Sequence, residues 1–152
     1  MRGIGAVALA GALAGCSGGG DGAATGGGDG GDSASVPGEI DSYLNDNDAN
    51  QYGGNAADMT GQDSVDISVG AGNQGYAFDP AAVVVSAGTE VNWVWTGNGG
   101  QHNIVADDGT FESERMSSAG SSFSHTFEDA GNYGYKCVPH QALGMYGAVV
   151  VE

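Results

Sequence analysis

The chain reads as an all-β sandwich carried behind a disordered linker, and three features of the sequence predict this. From about Gly61 onward, apolar residues alternate with polar ones in short runs, separated by clusters of Gly, Asp and Asn. No long 3.6-residue pattern competes in that region. The first third behaves oppositely: many of the 30 glycines crowd there, and apolar residues become sparse after position 14.

The N-terminus looks like an address. Arg2 gives a positive start, and the apolar run Ile4 to Ala14 ends in Leu13-Ala14-Gly15-Cys16. That run is well short of the roughly 20 residues that span a bilayer, and has the length and small-residue ending of an export signal. Leu-Ala-Gly-Cys also resembles the lipobox of exported lipoproteins, which makes Cys16 the expected lipid attachment site. Such proteins often carry a twin-arginine pair, whereas only Arg2 stands here. Residues 1–15 are accordingly read as a lipoprotein-type signal segment, and the mature protein is expected on the extracytoplasmic face of the cell membrane.

Residues 16–60 are read as the lipidated cysteine plus a Gly/Asp-rich flexible linker. Ser17 to Ser35 is almost entirely Gly, Asp, Ser, Ala and Thr and can bury nothing. A Gly-rich coil of about 45 residues reaches roughly 35–40 Å root-mean-square, enough for a tethered domain to swing between partners. Within it, Ile40, Tyr43 and Leu44 have helical spacing, which predicts a short helix docking on the domain.

Residues 61–152 form the expected domain. Val65, Ile67 and Val69 alternate, Ala82 to Ser86 is a valine run, and Val91, Trp93 and Trp95 alternate again. Phe123, His125 and Phe127 follow, then Tyr133, Tyr135 and Cys137, and Val149 to Val151 closes the set. Glycine and Asp turns lie between them, at Gly70 to Gly75, Gly97 to Gly100, Asp107 to Gly109 and Asp129 to Gly131. This is material for one core and not for a second.

Charge narrows the partners. The chain has 19 Asp+Glu against 3 Lys+Arg, a formal net of -16, with no basic residue between Arg2 and Arg115. Phosphate recognition needs a basic face, so nucleic acid is excluded as a partner. Carboxylates run through the domain itself, and their repulsion is tolerable where molar salt shortens the Debye length to about 3 Å. A halophilic source is the simplest reading. The two cysteines, Cys16 and Cys137, each have a local role, so no disulfide is expected.

The chemistry lies in one loop and one distant histidine. Cys137-Val138-Pro139-His140-Gln141-Ala142-Leu143-Gly144-Met145 puts a thiolate, an imidazole and a thioether within nine residues. Cys137 ends a strand facing the core, Pro139 stiffens the return, and Gly144 permits a tight turn. His102 comes from upstream, after the Trp-rich strand. Two imidazoles, one thiolate and a weak axial Met are the donor set of blue copper electron-transfer sites, whereas structural zinc prefers Cys and His without Met. His102, Cys137, His140 and Met145 are therefore the expected ligands of one copper ion. His125 alternates with Phe123 and Phe127 and is expected to be a partly buried, hydrogen-bonded histidine, not a ligand.

These motifs resemble the halocyanins, membrane-associated plastocyanin-like blue copper proteins of salt-loving archaea. The resemblance rests on Cys137-Val138-Pro139-His140 with Gly144-Met145, on His102-Asn103, on His125-Thr126-Phe127, on Gly61-Gln62-Asp63 and on the leading lipobox. It extends from about residue 40 to the end. It implies a Greek-key cupredoxin sandwich and gives Asn103 the task of pinning the two ligand-bearing loops by hydrogen bonding. The chain is expected to be a monomeric electron carrier working with redox partners at the membrane. Lys136 departs from the family, which often has Tyr before the copper cysteine as a remote electron exit.

Other functions find less support. Copper oxidases and reductases need further copper sites, and only His125 remains once His102 and His140 are used. The G-x-S-x-G match at Gly15 to Gly19 falls in the lipobox and linker, not on a strand-to-helix turn, so no hydrolase is expected. A copper storage or delivery protein is the stronger rival, because it needs the same affinity without redox turnover. Those sites tend toward exposed Met-rich or paired-Cys ligation, unlike this set.

Overall fold

The alternating runs form strands, and the strands form two sheets. The structure, a computed structural model, describes residues 33–152; the signal segment, Cys16 and residues 17–32 of the linker lie outside the described residues. In chain order the elements are β1 (Ser33–Ala34), α1 (Gly38–Asp46), β2 (Ala56–Asp58), β3 (Ser64–Ala71), β4 (Ala77–Asp79) and β5 (Ala82–Val85). Then come β6 (Thr89–Trp95), β7 (Val105–Ala106), β8 (Ser122–Phe127), β9 (Gly131–Lys136), a 3-10 segment (Val138–Leu143) and β10 (Tyr146–Val151). One sheet has the order β1-β2-β5-β10-β9-β7 and the other β4-β3-β6-β8. Among the described residues no helix is long and apolar enough to cross a membrane.

Period-2 patterning explains the main core. Val65, Ile67 and Val69 of β3 and Val91, Trp93 and Trp95 of β6 point inward, where they meet Val83, Val85, Tyr135, Val149 and Val151 of the facing sheet. β3 and β6 run parallel with Val65 opposite Val91 and Val69 opposite Trp95, so every inward residue of one is level with one of the other. His125 lies on β8 with its ring packed against Phe111 and Phe127 at centroid distances of 5.1 and 4.8 Å. It is half-buried as expected. Its ring contacts are aromatic, with no hydrogen bond to it among the described residues.

The expectation of a single core is corrected by the outer face of the larger sheet. Ala82 and Val84 of β5 and Ala148 and Val150 of β10 form a second apolar cluster with Ile40 and Leu44 of α1 and Ala56 of β2. This explains why β5 is a run of four buried residues and not an alternation. Both of its faces are covered, one by the opposite sheet and one by the helix. Burying Ile40 and Leu44 contributes about 1.5–3 kcal/mol each relative to exposure. Glu39 and Asp41 in the first turn suit the positive end of the helix dipole. The Asn47 side chain donates to the Tyr43 carbonyl at 2.8 Å where the helix ends.

The compact unit consequently starts at Ser33, not Gly61. The stretch from Ser33 to Thr60, expected as linker because its apolar residues are few, belongs to this unit. Those few are concentrated on one helical face and one short strand, so they suffice to cover a sheet.

Candidate metal centre

Each expected ligand is placed by a different structural cause. Cys137 follows the last residue of β9, and its N–H donates to the Met145 carbonyl at 3.0 Å. That bond continues the β9–β10 ladder one step beyond the Lys136–Tyr146 pair. Cys137 and Met145 are thus cross-strand neighbours, both fully buried, with His140 on the seven-residue connection between them. The connection is a 3-10 segment with Pro139 near its start, and it closes on Gly144 at φ 87°. A Cβ at Gly144 would lie 2.6 Å from the Asp48 carbonyl oxygen, so conformation and space both demand glycine.

His102 is held from the other side. Its N–H and carbonyl each bond to Met116 at 2.9 Å, and the indole Nε1 of Trp95 donates to the same carbonyl at 3.3 Å. Its ring Nε2 lies 2.7 Å from the Asn98 carbonyl oxygen. A carbonyl only accepts, so Nε2 carries the proton and Nδ1 keeps a free lone pair. A Cβ at Gly99 would come within 2.9 Å of that Nε2, so the Gly-rich turn leaves room for the ring.

The donors converge. Cys137 Sγ lies 3.7 Å from His102 Nδ1 and 3.6 Å from His140 Nδ1, and the two Nδ1 atoms are 3.1 Å apart. The point equidistant from the three lies about 2.0 Å from each, the length of a transition metal–imidazole bond and near the roughly 2.3 Å of a metal–thiolate bond. The side chains fit one metal ion without rearrangement. Asn103 behaves as the resemblance implied: its Oδ1 accepts the Val138 N–H at 2.9 Å and ties the two loops together.

A family model for copper-binding proteins of the plastocyanin/azurin family matches residues 65–152. The chain belongs to that family. Halocyanin of Natronomonas pharaonis is 53% identical over 155 residues, covering 100% of this chain and 94% of that protein. Plastocyanin of Scenedesmus fuscus is 36% identical over 98 residues, 58% of this chain and 99% of its own. Among solved structures, a mutant plastocyanin of a fern is 26% identical with a TM-score of 0.50, over 58% of this chain and 100% of that one. The fold is the cupredoxin sandwich, of halocyanin type, and the cofactor of this cupredoxin is copper.

Electrostatics keep the copper-free site neutral. Burial pushes the Cys137 thiol up, while backbone N–H groups of Asn103 and His140 and the charge of Arg115 act against it. Burial holds His102 below its ordinary value, opposed by the bond to Asn98. Burial and then the neighbouring His102 hold His140 down as well. Neutral imidazoles are already in the ligating form, so loading requires only the thiol proton to leave.

The surroundings of the two imidazoles differ. His102 is buried, whereas His140 is half-exposed, with Tyr76 tilted against its ring at 4.6 Å. Pro139, Gln141, Ala142 and Leu143 beside it are exposed, and Leu143, at 51%, is the only large apolar side chain so exposed among the described residues. Lys136 is tied to Asp107 at 3.3 Å and flanked across the ladder by Tyr146. Sequence reasoning missed Asn98, Gly99, Tyr76 and Asn50. Asn98 acts through a backbone carbonyl, which every residue has, and the others lie in glycine- and amide-rich turns that show no period.

Proposed function

We propose that this cupredoxin is a mobile one-electron carrier with His102, Cys137, His140 and Met145 as the ligands of its single copper ion. The observation that carries the reading is the triangle of one sulfur and two nitrogen atoms, buried on the Cys137 and His102 side and sized for a metal. Copper bound there supplies a Cu(I)/Cu(II) couple, worth one electron per cycle. The protein's part is to hold the donors still. Asn103 and the 3-10 segment with Pro139 pin the loop, and the Asn98 carbonyl fixes the His102 ring, so neither oxidation state requires the donors to move.

Electrons leave and enter, on this reading, through the half-exposed edge of His140. The uncharged rim of Pro139, Ala142 and Leu143 forms a small dry contact that releases its partner quickly. Cys16 carries lipid and tethers the monomeric protein to the extracytoplasmic face of the cell membrane, within reach of redox proteins in an electron-transfer chain. One acyl chain holds only marginally, so a diacyl-type modification is expected. The acidic surface suits molar salt, as in a halophile.

The test is spectroscopic. Purified protein given copper should show an intense thiolate-to-Cu(II) visible band and a reversible potential, and Cys137→Ser should abolish the colour. Stoichiometric zinc and no blue band, after metal-free protein is offered both ions, sinks the reading. A redox-silent copper complex would support storage or delivery instead. Mass spectrometry of the mature N-terminus tests the anchor independently, and an unmodified Cys16 refutes it.

A further inference from the structure

The ligand loop does not stand by itself. Asn50 lies in the turn after α1, outside the part of the chain that the copper-binding family model matches. Its N–H donates to the Gly144 carbonyl at 2.8 Å. Its side-chain Nδ2 donates twice, to the Leu143 carbonyl and to the Tyr76 carbonyl, each at 2.8 Å. Both amide protons are therefore used, and both acceptors are main-chain atoms beside the metal centre. Leu143 is the last residue of the 3-10 segment that carries His140, and Gly144 is the one residue between that segment and Met145. Tyr76 is the residue whose ring rests on His140.

The turn bearing Asn50 is itself under constraint. Asp48 and Gln51 adopt φ of 50° and 67°, the left-handed region that non-glycine residues rarely occupy. The Asp48 carbonyl oxygen occupies the space a Cβ at Gly144 would need. Ala49 N–H bonds back to the Leu44 carbonyl at 2.9 Å, and Leu44 is fully buried against the larger sheet. A continuous path runs from the second apolar cluster through α1 and its strained turn to the copper loop.

We propose that Asn50 is a positioning residue for the copper centre. It clamps the Leu143–Gly144 backbone and the Tyr76 backbone against one another, so that His140 and Met145 hold their ligating positions before metal arrives. The segment from Ser33 to Thr60 is then part of the frame of the metal site and not only a cover for the sheet. This rests on the ligand assignment made above for His140 and Met145.

Amide hydrogen exchange of the full chain without metal, together with the visible spectrum and potential of the copper form, tests it in molar salt. Asn50→Ala should speed exchange at Met145 roughly tenfold relative to Ala148, whose N–H bonds to Ala81 in the adjoining ladder. It should also shift the visible band and the potential. Asn50→Asp keeps shape and backbone bond but faces two carbonyls with a carboxylate, and should give the same local pattern if the Ala variant fails to fold. Tyr52→Phe is the control. It removes the 2.7 Å bond from Tyr52 to Asp41 in the same segment, and should lower stability without a local effect at Met145 or a spectral change. Exchange at Met145 that merely tracks Ala148 in the Asn50 variants, with spectrum and potential unchanged, overturns the proposal. A colourless parent protein would instead refute the ligand assignment, leaving the exchange result to judge the clamp by itself.

Discussion

Leu44→Ala measures whether the segment before Gly61 belongs to the folded unit. Leu44 is fully buried between α1 and the outer face of the larger sheet, against Ala82, Val84, Ala148 and Val150. Truncation removes three carbon atoms and leaves a cavity. The four sheet residues cannot close it, because β5 and β10 are central strands locked on both sides by ladder bonds. The helix can settle slightly toward the gap, since it meets the sheet through side chains and not through ladder bonds. The cost therefore falls toward the lower part of the range for buried Leu→Ala, about 3 kcal/mol. With an unfolding entropy near 2.1 cal/mol/K per residue over about 120 residues, this lowers Tm by roughly 12 °C. Calorimetry of the full chain in molar salt is the assay, run with and without copper. A drop below about 3 °C would mean that α1 rests on the sheet without sharing its cooperative unfolding. The account of the second cluster would then fail.

Further predictions concern the site and the surface. Met145→Leu should retain copper and raise the potential, because a weak axial donor to Cu(II) is lost; for one electron a tenfold shift of the redox equilibrium reads as about 59 mV, and no shift would make Met145 packing alone. Copper affinity of the metal-free protein should weaken about tenfold per unit as pH falls toward 6.5, since the raised Cys137 thiol must give up one proton while the lowered His102 and His140 stay neutral; a slope near two, measured by competition titration, would show that an imidazole also has to lose a proton. Thermal stability should fall on dilution from molar to millimolar salt, because few cations oppose the -16 formal charge; equal melting temperatures would make the carboxylates a passive surface. Leu143→Glu should slow exchange with the natural partner roughly tenfold without altering spectrum or copper content, whereas Lys136→Tyr should leave the rate nearly unchanged; the reverse pattern would move the exit away from His140.

What could be read from the sequence follows from which forces leave a period. Strands β3, β6, β8 and β9 alternate because one face is dry and the other wet, so Val65, Trp93, Phe127 and Tyr135 announced themselves. The meeting of Cys137 and His140 with His102 was legible because Cys, His and Met at that spacing have few other reasons to coincide. β1, β4 and β7 were not legible, because two or three residues cannot display alternation. The domain boundary was misjudged for a related reason. Ala56 and its small neighbours pair into the larger sheet as β2, and small residues look the same in a linker. Asn50 was invisible because a carboxamide in a polar turn carries no signal of what it bonds to.

The architecture accounts for a group of His102, Cys137 and His140 that converges without a metal. Cys137 and Met145 are set opposite each other by the end of the β9–β10 ladder, and that spacing belongs to the sheet. His102 is set by Met116 and by Trp95, a core residue of the opposite sheet, so closing the sandwich brings imidazole to thiol. His140 sits on the connection between β9 and β10, and that loop is held at three points: by Asn103 at Val138, by the 3-10 turn itself, and by Asn50 at Leu143 and Gly144. His140, the half-exposed member of the proposed ligand set, thus lacks the backbone bridge that holds His102 and relies on side-chain clamps instead. That distribution suits a carrier. On the proposed exit through His140 the imidazole must stay accessible, so it cannot be fixed by burial, and directional hydrogen bonds to main-chain atoms hold its loop where packing cannot.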